Sequence, residues 1–410
     1  MTSSTRTAAV ALLCGVLTAC SSGSAVPSAS SASSSSRAAS SSAPSSSPRT
    51  PASVVPSRSP SSATPSGPEA RVAATLARLD RRAQVAQLFL AGVPLSSLTA
   101  GDALVRSGVG GVFLAGRSQL STTQLAATTT RWQSLAPGTR LWVAADQEGG
   151  NVQTLKGPGF HPLPTAVAQG ALPDPALSAL AQGMGASLRS AGLNLDLAPV
   201  ADVVPAGTES RNAPIGQFQR QYGSTPATVT RAASTVLHGL ARSGVTATLK
   251  HFPGLGRVRS NTDVAATVDT VTRRNDPEVA LFGSMGRSVT HPFVMMSSAV
   301  YARIDPTGPA AFSRTVLTGL LRQQLGFDGV VVSDDLGNAK AVADVAPGER
   351  AVRFLAAGGT LVLTVLPSLV PGMIAAVLAR TAADPAFAAQ VKQAVHTALL
   401  AKARAGLLPG

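Results

Sequence analysis

The chain has 410 residues, of which 44% are hydrophobic and only 13% are charged, and its formal net charge is +14. This is ample apolar material for a sizeable core. The basic balance does not predict a nucleic-acid partner, because the arginines are dispersed and no aromatic residues alternate with them. Contact with anionic lipid headgroups or acidic polymers, or a merely solvated surface, explains the charge better.

The first 20 residues predict export. Arg6 supplies a charged start, Ala8 to Leu17 form a short apolar segment, and the order Leu-Thr-Ala-Cys ending at Cys20 resembles a bacterial lipobox. The segment is too short to be a membrane-spanning helix. We therefore expect residues 1–20 to be a lipoprotein signal peptide, Cys20 to carry the lipid, and the mature protein to sit on the outer face of the cell membrane. The alternative is an ordinary secretion signal with an incidental cysteine.

Residues 21–67 consist almost entirely of Ser, Ala, Pro and Thr. Such a segment cannot bury enough apolar surface to order itself, which predicts a flexible linker between the anchor and a folded body. The chain has two cysteines, and Cys14 lies within the predicted signal peptide. We therefore expect no disulfide in the mature protein.

From residue 68 to residue 410 the sequence alternates short apolar runs with longer amphipathic stretches, as a parallel sheet with crossover helices requires. The eight candidate strands are Gln87 to Gly92, Gly110 to Leu114, Leu141 to Ala145, Leu193 to Leu197, Thr246 to Lys250, Phe293 to Ser297, Gly329 to Ser333 and Thr360 to Thr364. Four clear helix candidates are Ala176 to Ala191, Thr228 to Ser243, Asp276 to Val289 and Ser313 to Gln324. Eight repeats predict a single (β/α)8 TIM barrel, with a doubly wound sheet as the alternative.

Polar residues follow several of these strands. The third runs into DQEGG at 146–150, the fourth carries Asp196 and continues to Asp202, the fifth ends in Lys250 and His251, and the seventh ends in SDDL at 333–336. A barrel gathers all its strand ends around one opening, so we expect these side chains to meet there. The structural alternative, in which each carboxylate only caps a helix, explains the set poorly.

Two motifs carry a resemblance to a known family. The segment KHFPGLG at 250–256, together with GFDGVVVSDDL at 326–336, resembles the signatures of the family 3 glycoside hydrolases, specifically the single-barrel β-N-acetylglucosaminidases. The resemblance implies that Asp334 is the nucleophile of a retaining reaction and that Asp146, Arg220, Lys250 and His251 bind the terminal sugar. Retention needs two carboxyl groups roughly 5 Å apart, and a nearby cation such as Lys250 would help the nucleophile to stay ionised.

One departure from the family pattern affects the proton donor. Where the family has Asp-Ser/Thr-His, this chain has Asn261-Thr262-Asp263, and none of its five histidines lies elsewhere on that loop. We expect Asp263 to act as the acid/base, since a carboxyl group can do so when its pKa is raised, and Glu148 is the next candidate. The alternatives are a sugar-binding lipoprotein without catalysis, or a β-glycosidase or phosphorylase of different sugar specificity.

The sequence suggests no further ligands. The histidines are scattered and no metal-binding spacing occurs, and the glycine pairs lack the context of a nucleotide site, so we expect no metal and no cofactor. The expected partners are a carbohydrate, in the form of peptidoglycan fragments, and the membrane through the lipid anchor. We expect no nucleic acid and a monomeric protein.

Overall fold

The structure is a computed structural model and describes residues 67–409. The predicted signal peptide, the lipidation site Cys20 and nearly all of the predicted linker lie outside the described residues. Within the described range, no helix combines the length and apolar character needed to cross a membrane.

The described chain alternates strands and helices from end to end. The strands are β1 Phe89–Pro94, β2 Gly111–Ala115, β3 Trp142–Ala145, β4 Gln147–Gly149, β5 Val152–Gln153, β6 Leu195–Asp196, β7 Thr248–Phe252, β8 Val268–Asp269, β9 Phe293–Met296, β10 Val300–Tyr301, β11 Val331–Ser333 and β12 Val362–Thr364. The α-helices are α1 Pro68–Arg78, α2 Arg81–Ala86, α3 Gly101–Arg106, α4 Thr122–Leu135, α5 Ala166–Gly170, α6 Asp174–Ser190, α7 Pro226–Arg242, α8 Pro277–Gly286, α9 Pro347–Ala357, α10 Val370–Ala383 and α11 Pro385–Arg404. A π-helix spans Thr315–Gln324.

Eight of the strands form two parallel sheets. The larger has the order β12-β1-β2-β3-β6 and the smaller the order β11-β9-β7. Isolated parallel bridges connect their edges, Leu195 to Thr246 on one side and Val332 to Leu361 on the other. The two sheets also share a core, in which the ring of Trp142 from β3 meets that of Phe293 from β9 edge to face, with centroids 5.2 Å apart.

The predicted α/β class is therefore confirmed, and so are the eight predicted strands, most of which are shorter than expected. The fifth strand is the main correction: it was expected over 246–250, yet it is β7, Thr248–Phe252. Lys250 and His251 thus lie inside the strand instead of ending it. The segment continues because both side chains are buried against acidic partners, so they do not force the chain out towards water.

Two short strand pairs were not predicted. β4 and β5 form an antiparallel hairpin directly after β3, and β8 pairs with β10 in the loops after β7 and β9. Gly149 is required in the hairpin, because its φ is 103° and a Cβ there would lie 2.4 Å from the Pro164 carbonyl oxygen. Gly256 is required in the next loop, where a Cβ would lie 1.8 Å from the Val203 carbonyl oxygen. These close approaches hold the loops around the carboxyl ends of the strands.

Candidate active site

A cavity of about 190 Å³ lies at the carboxyl ends of the parallel strands. All six residues that the sequence singles out for substrate binding or catalysis line it: Asp146, Arg220, Lys250, His251, Asp263 and Asp334. They come from four different strand ends and the loops that follow them. The expectation that polar residues at the strand ends meet is therefore confirmed for Asp146, Lys250, His251 and Asp334, whereas Asp196 and Asp202 do not line this cavity.

On one wall of the cavity, two cations and two carboxylates form a tight network. Lys250 Nζ lies 2.6 Å from Asp146 Oδ1 and 2.7 Å from Glu148 Oε1. The Arg220 guanidinium forms a bidentate ion pair with Glu148, with Nε 2.8 Å from Oε2 and Nη2 2.7 Å from Oε1. Arg220 Nη1 also donates to the Pro214 carbonyl oxygen at 2.8 Å, which ties its loop to the same group.

This network settles the state of Glu148. Burial alone would raise the pKa of its carboxyl, but Arg220 and Lys250 outweigh burial and lower that pKa to about 2. A group that stays ionised through the neutral range cannot deliver a proton, so the expectation that Glu148 is the reserve proton donor is wrong. Burial opposes the charge of Lys250 as well, but Asp146 and Glu148 raise its pKa, so it remains an ammonium.

Spare donors remain for a ligand. An ammonium has three N–H groups and a guanidinium has five. Lys250 uses two in the contacts to Asp146 and Glu148, and Arg220 uses three in the contacts to Glu148 and Pro214. Both side chains are thus held rigidly by acidic or carbonyl partners while still able to donate to a hydroxyl-rich ligand.

His251 has its own acidic partner, Asp202, which the sequence did not identify as a site residue. His251 Nδ1 lies 2.7 Å from Asp202 Oδ2, and the fully buried carboxylate also accepts the backbone N–H groups of His251 and Leu255, at 3.2 and 2.6 Å. Since an ionised carboxylate can only accept, Nδ1 is the donor. This hydrogen bond therefore fixes the orientation of the His251 imidazole ring. The only sequence signal was a carboxylate just beyond the fourth strand.

Asp334 follows β11 and is half buried. Its Oδ1 accepts the Asp335 backbone N–H at 2.8 Å. Burial raises the pKa of its carboxyl to about 6; the His251 imidazole opposes this rise and the Asp263 carboxylate adds to it. Lys250 was expected to favour the ionised form of Asp334. Lys250 instead pairs with Asp146 and Glu148, and it is His251 that lowers the pKa of Asp334.

Its neighbour Asp335 differs in burial and in the number of hydrogen bonds that its carboxylate accepts. Asp335 is buried, its Oδ1 accepts the backbone N–H groups of Gly337 and Val365 at 2.9 Å each, and its Oδ2 accepts that of Asn338 at 2.8 Å. Both oxygens are consumed in holding the loop after β11 against the end of β12. Of the two adjacent acids, Asp334 is therefore the one with an oxygen free for chemistry.

Asp263 lies on the loop after β7 and is exposed. The loop is pinned by its backbone: the carbonyls of Thr262 and Asp263 accept N–H groups from Ala341 and Lys340, at 3.1 and 3.2 Å, in the loop that follows Asp334. Asn261 Oδ1 accepts the Asp263 N–H at 3.0 Å. The two candidate catalytic loops are thus joined, and within residues 67–409 the Asp263 carboxylate makes no hydrogen bond of its own.

Asp196 forms a further buried acid beneath this network. Its Oδ1 accepts the Gln147 N–H at 3.0 Å and its Oδ2 has no partner among the described residues. Burial raises its pKa to about 8, so it is neutral at pH 7. The same range contains no group of three or more His, Cys, Asp or Glu arranged to hold a metal ion.

Two carboxyl groups that each keep an oxygen free, beside donors held for a hydroxyl-rich ligand, are what glycoside hydrolysis requires, and this site defines that class of enzyme. Residues 82–398 match the Glycosyl hydrolase family 3 N terminal domain, and the chain belongs to this family. A β-hexosaminidase from Xanthomonas euvesicatoria pv. vesicatoria is 36% identical over 312 residues, covering 72% of this chain and 88% of that protein.

Solved structures agree. The β-N-acetylhexosaminidase of Beutenbergia cavernae is 45% identical, with a TM-score of 0.76 over 79% of this chain and 98% of that one. A glycoside hydrolase family 3 β-N-acetylglucosaminidase from a Paenibacillus species is 29% identical, with a TM-score of 0.70 over 80% of this chain and 63% of that one. The family resemblance drawn from the two sequence motifs is confirmed.

Proposed function

We propose that the protein is a retaining exo-β-N-acetylglucosaminidase that releases terminal β-linked N-acetylglucosamine from larger carbohydrates. The named activities of its relatives support this assignment. The observation that carries it is the division among the acids of the site. Glu148, Asp202 and Asp335 have both carboxyl oxygens bonded to cations or N–H groups, and Asp146 is paired with Lys250. Asp334 and Asp263 instead form no ion pair within residues 67–409, and each keeps a carboxyl oxygen free at the same cavity.

The proposed reaction has two steps. A carboxylate oxygen of Asp334 attacks the anomeric carbon, the bond to the leaving oxygen breaks, and that oxygen takes a proton from Asp263. A water molecule then gives a proton back to Asp263 while its oxygen displaces Asp334 from the anomeric carbon. Asp146, Arg220, Lys250 and His251 bind the sugar hydroxyls.

The size of the cavity favours an exo enzyme. A volume of about 190 Å³ holds roughly six waters at about 30 Å³ each, which is little more than one sugar residue. A chain end fits such a space, whereas an internal segment of a polymer would need an open groove. The other sugars of the substrate must then lie outside it.

We also propose that the two sheets form one (β/α)8 barrel and that residues 68–410 are a single catalytic domain. The bridges at both sheet edges support the barrel. The domain bounds extend beyond the family match because α1 and α11 are tied together, with Arg71 Nη2 donating to the Ala403 carbonyl oxygen at 3.1 Å.

For its setting we propose an exported lipoprotein anchored through Cys20 on the outer face of the cell membrane, acting as a monomer on peptidoglycan fragments. The lipobox and the linker composition support this proposal. In that location the accessible carbohydrates with β-linked N-acetylglucosamine would be those of the cell wall.

A panel of nitrophenyl substrates tests the activity. We expect cleavage of the β-N-acetylglucosaminide and little cleavage of the β-glucoside or β-xyloside, with no acceleration by phosphate. Faster cleavage of another sugar would overturn the specificity, and dependence on phosphate would identify a phosphorylase. Binding of N-acetylglucosamine without any turnover would identify a sugar-binding protein instead.

The nucleophile is tested by Asp334→Asn, which keeps the shape and removes the attacking charge. Turnover should fall by several orders of magnitude. Asp335→Asn is the matched control. Because the Asp335 carboxylate holds backbone N–H groups, this variant should have a lower melting temperature but lose much less turnover than Asp334→Asn. The opposite pattern would mean that Asp335 is the nucleophile.

A further inference from the structure

Arg350 lies near the amino end of α9 and is a buried cation without a carboxylate partner. Only 7% of the residue is exposed, and within residues 67–409 it forms no ion pair. Removing a guanidinium from water is costly unless it is well paired, and the positive end of the helix dipole raises the cost further. The contacts that Arg350 makes must therefore offset a substantial cost.

All the hydrogen bonds that the Arg350 side chain donates go to backbone carbonyl oxygens of one loop, which runs from the end of β11 to the start of α9. Nη1 donates to the oxygens of Leu336 and Gly337, both at 2.8 Å. Nε donates to that of Val345 at 2.6 Å, and Nη2 to that of Ala343 at 3.3 Å. One rigid, planar group thus joins the two ends of the loop.

The carboxylate of Asp335 holds only one end of this loop. It accepts the N–H groups of Gly337 and Asn338, at 2.9 and 2.8 Å. Its remaining contact is to Val365, which lies beyond the loop. Among the described residues, Arg350 is therefore the one whose side-chain hydrogen bonds connect the start of the loop to its end.

Between these two ends the loop forms a short 3₁₀ helix, Lys340–Val342. The first N–H groups of a helix have no partner inside it. Lys340 and Ala341 donate theirs to the carbonyl oxygens of Asp263 and Thr262, at 3.2 and 3.1 Å. The place of Asp263 at the cavity thus depends on the position of the 3₁₀ helix, and that position depends on the two ends of the loop.

We propose that Arg350 is a positioning residue for the proton donor: it joins the ends of the loop after β11 and thereby fixes the 3₁₀ helix that holds Asp263 at the cavity. The inference rests on the function proposed above, in which Asp263 protonates the leaving oxygen. Arg350 does not itself line the cavity, so it acts only through the loop. Because a displacement of about 1 Å can cost roughly 100-fold in rate, loss of this link should be visible in the kinetics.

Arg350→Lys tests the proposal, because lysine keeps the charge but lacks the planar group that reaches both ends of the loop. For a disaccharide of β-linked N-acetylglucosamine, kcat/KM should fall about 10- to 100-fold, since its leaving group needs the proton. For the nitrophenyl β-N-acetylglucosaminide it should stay within about threefold of wild type, since nitrophenolate leaves without a proton. Equal losses on both substrates, or no loss on the disaccharide, would overturn the proposal.

The matched control is Arg322→Lys. Arg322, on the π-helix Thr315–Gln324, also forms no ion pair within residues 67–409 and donates to the carbonyl oxygens of Gly329 and Gly358, at 3.1 and 3.0 Å. These contacts lie just before β11 and β12, at the amino ends of the strands. Arg322→Lys should lower the melting temperature but leave the ratio of the two kcat/KM values unchanged. A changed ratio would show that any loosening of the fold alters it, and would overturn the assignment.

A second pair of variants tests the same link without changing Arg350. Lys340 is exposed and is the first residue of the 3₁₀ helix, a position that tolerates proline. Lys340→Pro removes the N–H that is donated to Asp263, whereas Lys340→Ala keeps it. The proline variant should lose about tenfold in kcat/KM on the disaccharide alone, and the alanine variant should match wild type. Equal activity of the two variants would overturn the link.

Hydrogen exchange gives a readout that does not depend on activity. The amides of Lys340 and Ala341 should exchange faster in Arg350→Lys than in wild type, and should be unchanged in Arg322→Lys. If Arg350→Lys does not fold, wild type decides. Its Lys340 and Ala341 amides should then exchange as slowly as that of Gly337, because the loop opens as a unit, and much faster exchange would overturn the proposal.

Asp263→Asn separates this inference from the proposed function. If that variant shows the selective loss on the disaccharide but Arg350→Lys and Lys340→Pro do not, only the positioning role is wrong. If wild type hydrolyses neither substrate, the proposed function is wrong, and hydrogen exchange alone decides whether Arg350 holds the loop.

Discussion

Replacing Asp263 by Asn removes a proton carrier and keeps the size of the side chain. The loop is held by the backbone carbonyls of Thr262 and Asp263, so the fold should tolerate the change, and an exposed substitution of this kind costs at most about 0.5 kcal/mol. A sugar leaving group needs a proton in the transition state, whereas nitrophenolate leaves without one. Loss of a general acid is worth roughly 10² to 10⁴ in rate, and disaccharides should show that loss far more than nitrophenyl substrates.

The same variant should change the pH dependence. Burial raises the pKa of Asp334 to about 6, the His251 imidazole opposes the rise, and the negative charge of Asp263 adds to it. Since the nucleophile must be ionised, kcat/KM should fall about tenfold per pH unit below that value. Removing the charge at Asp263 favours ionised Asp334, so the acid limb should move to lower pH.

The assay is kcat/KM against pH for a nitrophenyl β-N-acetylglucosaminide and a β-linked disaccharide, with and without azide. Azide needs no general base, so it should restore the second step of the variant on the nitrophenyl substrate. Asp344→Asn, which changes an exposed acid in the loop after β11, is the control. Equal and small effects on both substrates, with an unmoved acid limb, would remove Asp263 from the mechanism.

Three more predictions follow from other sites. Glu148→Gln removes the carboxylate that pairs with Arg220 and leaves Lys250 with Asp146 alone, so urea unfolding should show a loss of about 3–5 kcal/mol, and a loss below 1 kcal/mol would contradict the network. Lys402 is buried on Gln87 Oε1 and Thr139 Oγ1, at 2.6 and 3.0 Å, and burial lowers its pKa to about 7, below its value in the unfolded chain. Wild type should therefore gain a few kcal/mol relative to Lys402→Met as pH rises from about 7 towards 10, and a constant difference would show that Lys402 does not titrate in that range. Cys20→Ala should abolish processing or release the protein from the membrane fraction; mature-size variant protein that stays on the membrane would exclude the lipid anchor.

The strands could be predicted because buried parallel strands are continuous apolar runs. Phe293–Met296 is such a run and is buried throughout. The limits of β7 could not be predicted, because Lys250 and His251 resemble a strand end until their acidic partners are known. The pairs β4–β5 and β8–β10 contain only two or three residues per strand, too few for any periodicity to be visible.

The site was predictable as a set of residues and not as a set of contacts. Residues at the ends of parallel strands converge, and that rule gathers Asp146, Lys250, His251 and Asp334 at one cavity. Arg220 and Asp263, which lie further along the loops, could be assigned only from the family resemblance. The pairings depend on partners far apart in sequence: Arg220 and Glu148 are 72 residues apart, and His251 and Asp202 are 49 apart. No local pattern distinguishes Glu148, which is held as a permanent anion, from Asp334, which is left free.

Three buried or half-buried acids in this site have different pKa values, and their environments explain why. Arg220 and Lys250 overcome the burial of Glu148 and lower its pKa to about 2, while Asp196 lacks a close cation and burial raises its pKa to about 8. Asp334 lies between them at about 6 because His251 only partly offsets burial. Arg220 and Lys250 are thus engaged in ion pairs with Glu148 and Asp146, which hold the sugar-binding side chains in place. The negative charge of Asp263 adds to the rise in the pKa of Asp334, so the nucleophile is sensitive to the charge carried by the loop after β7.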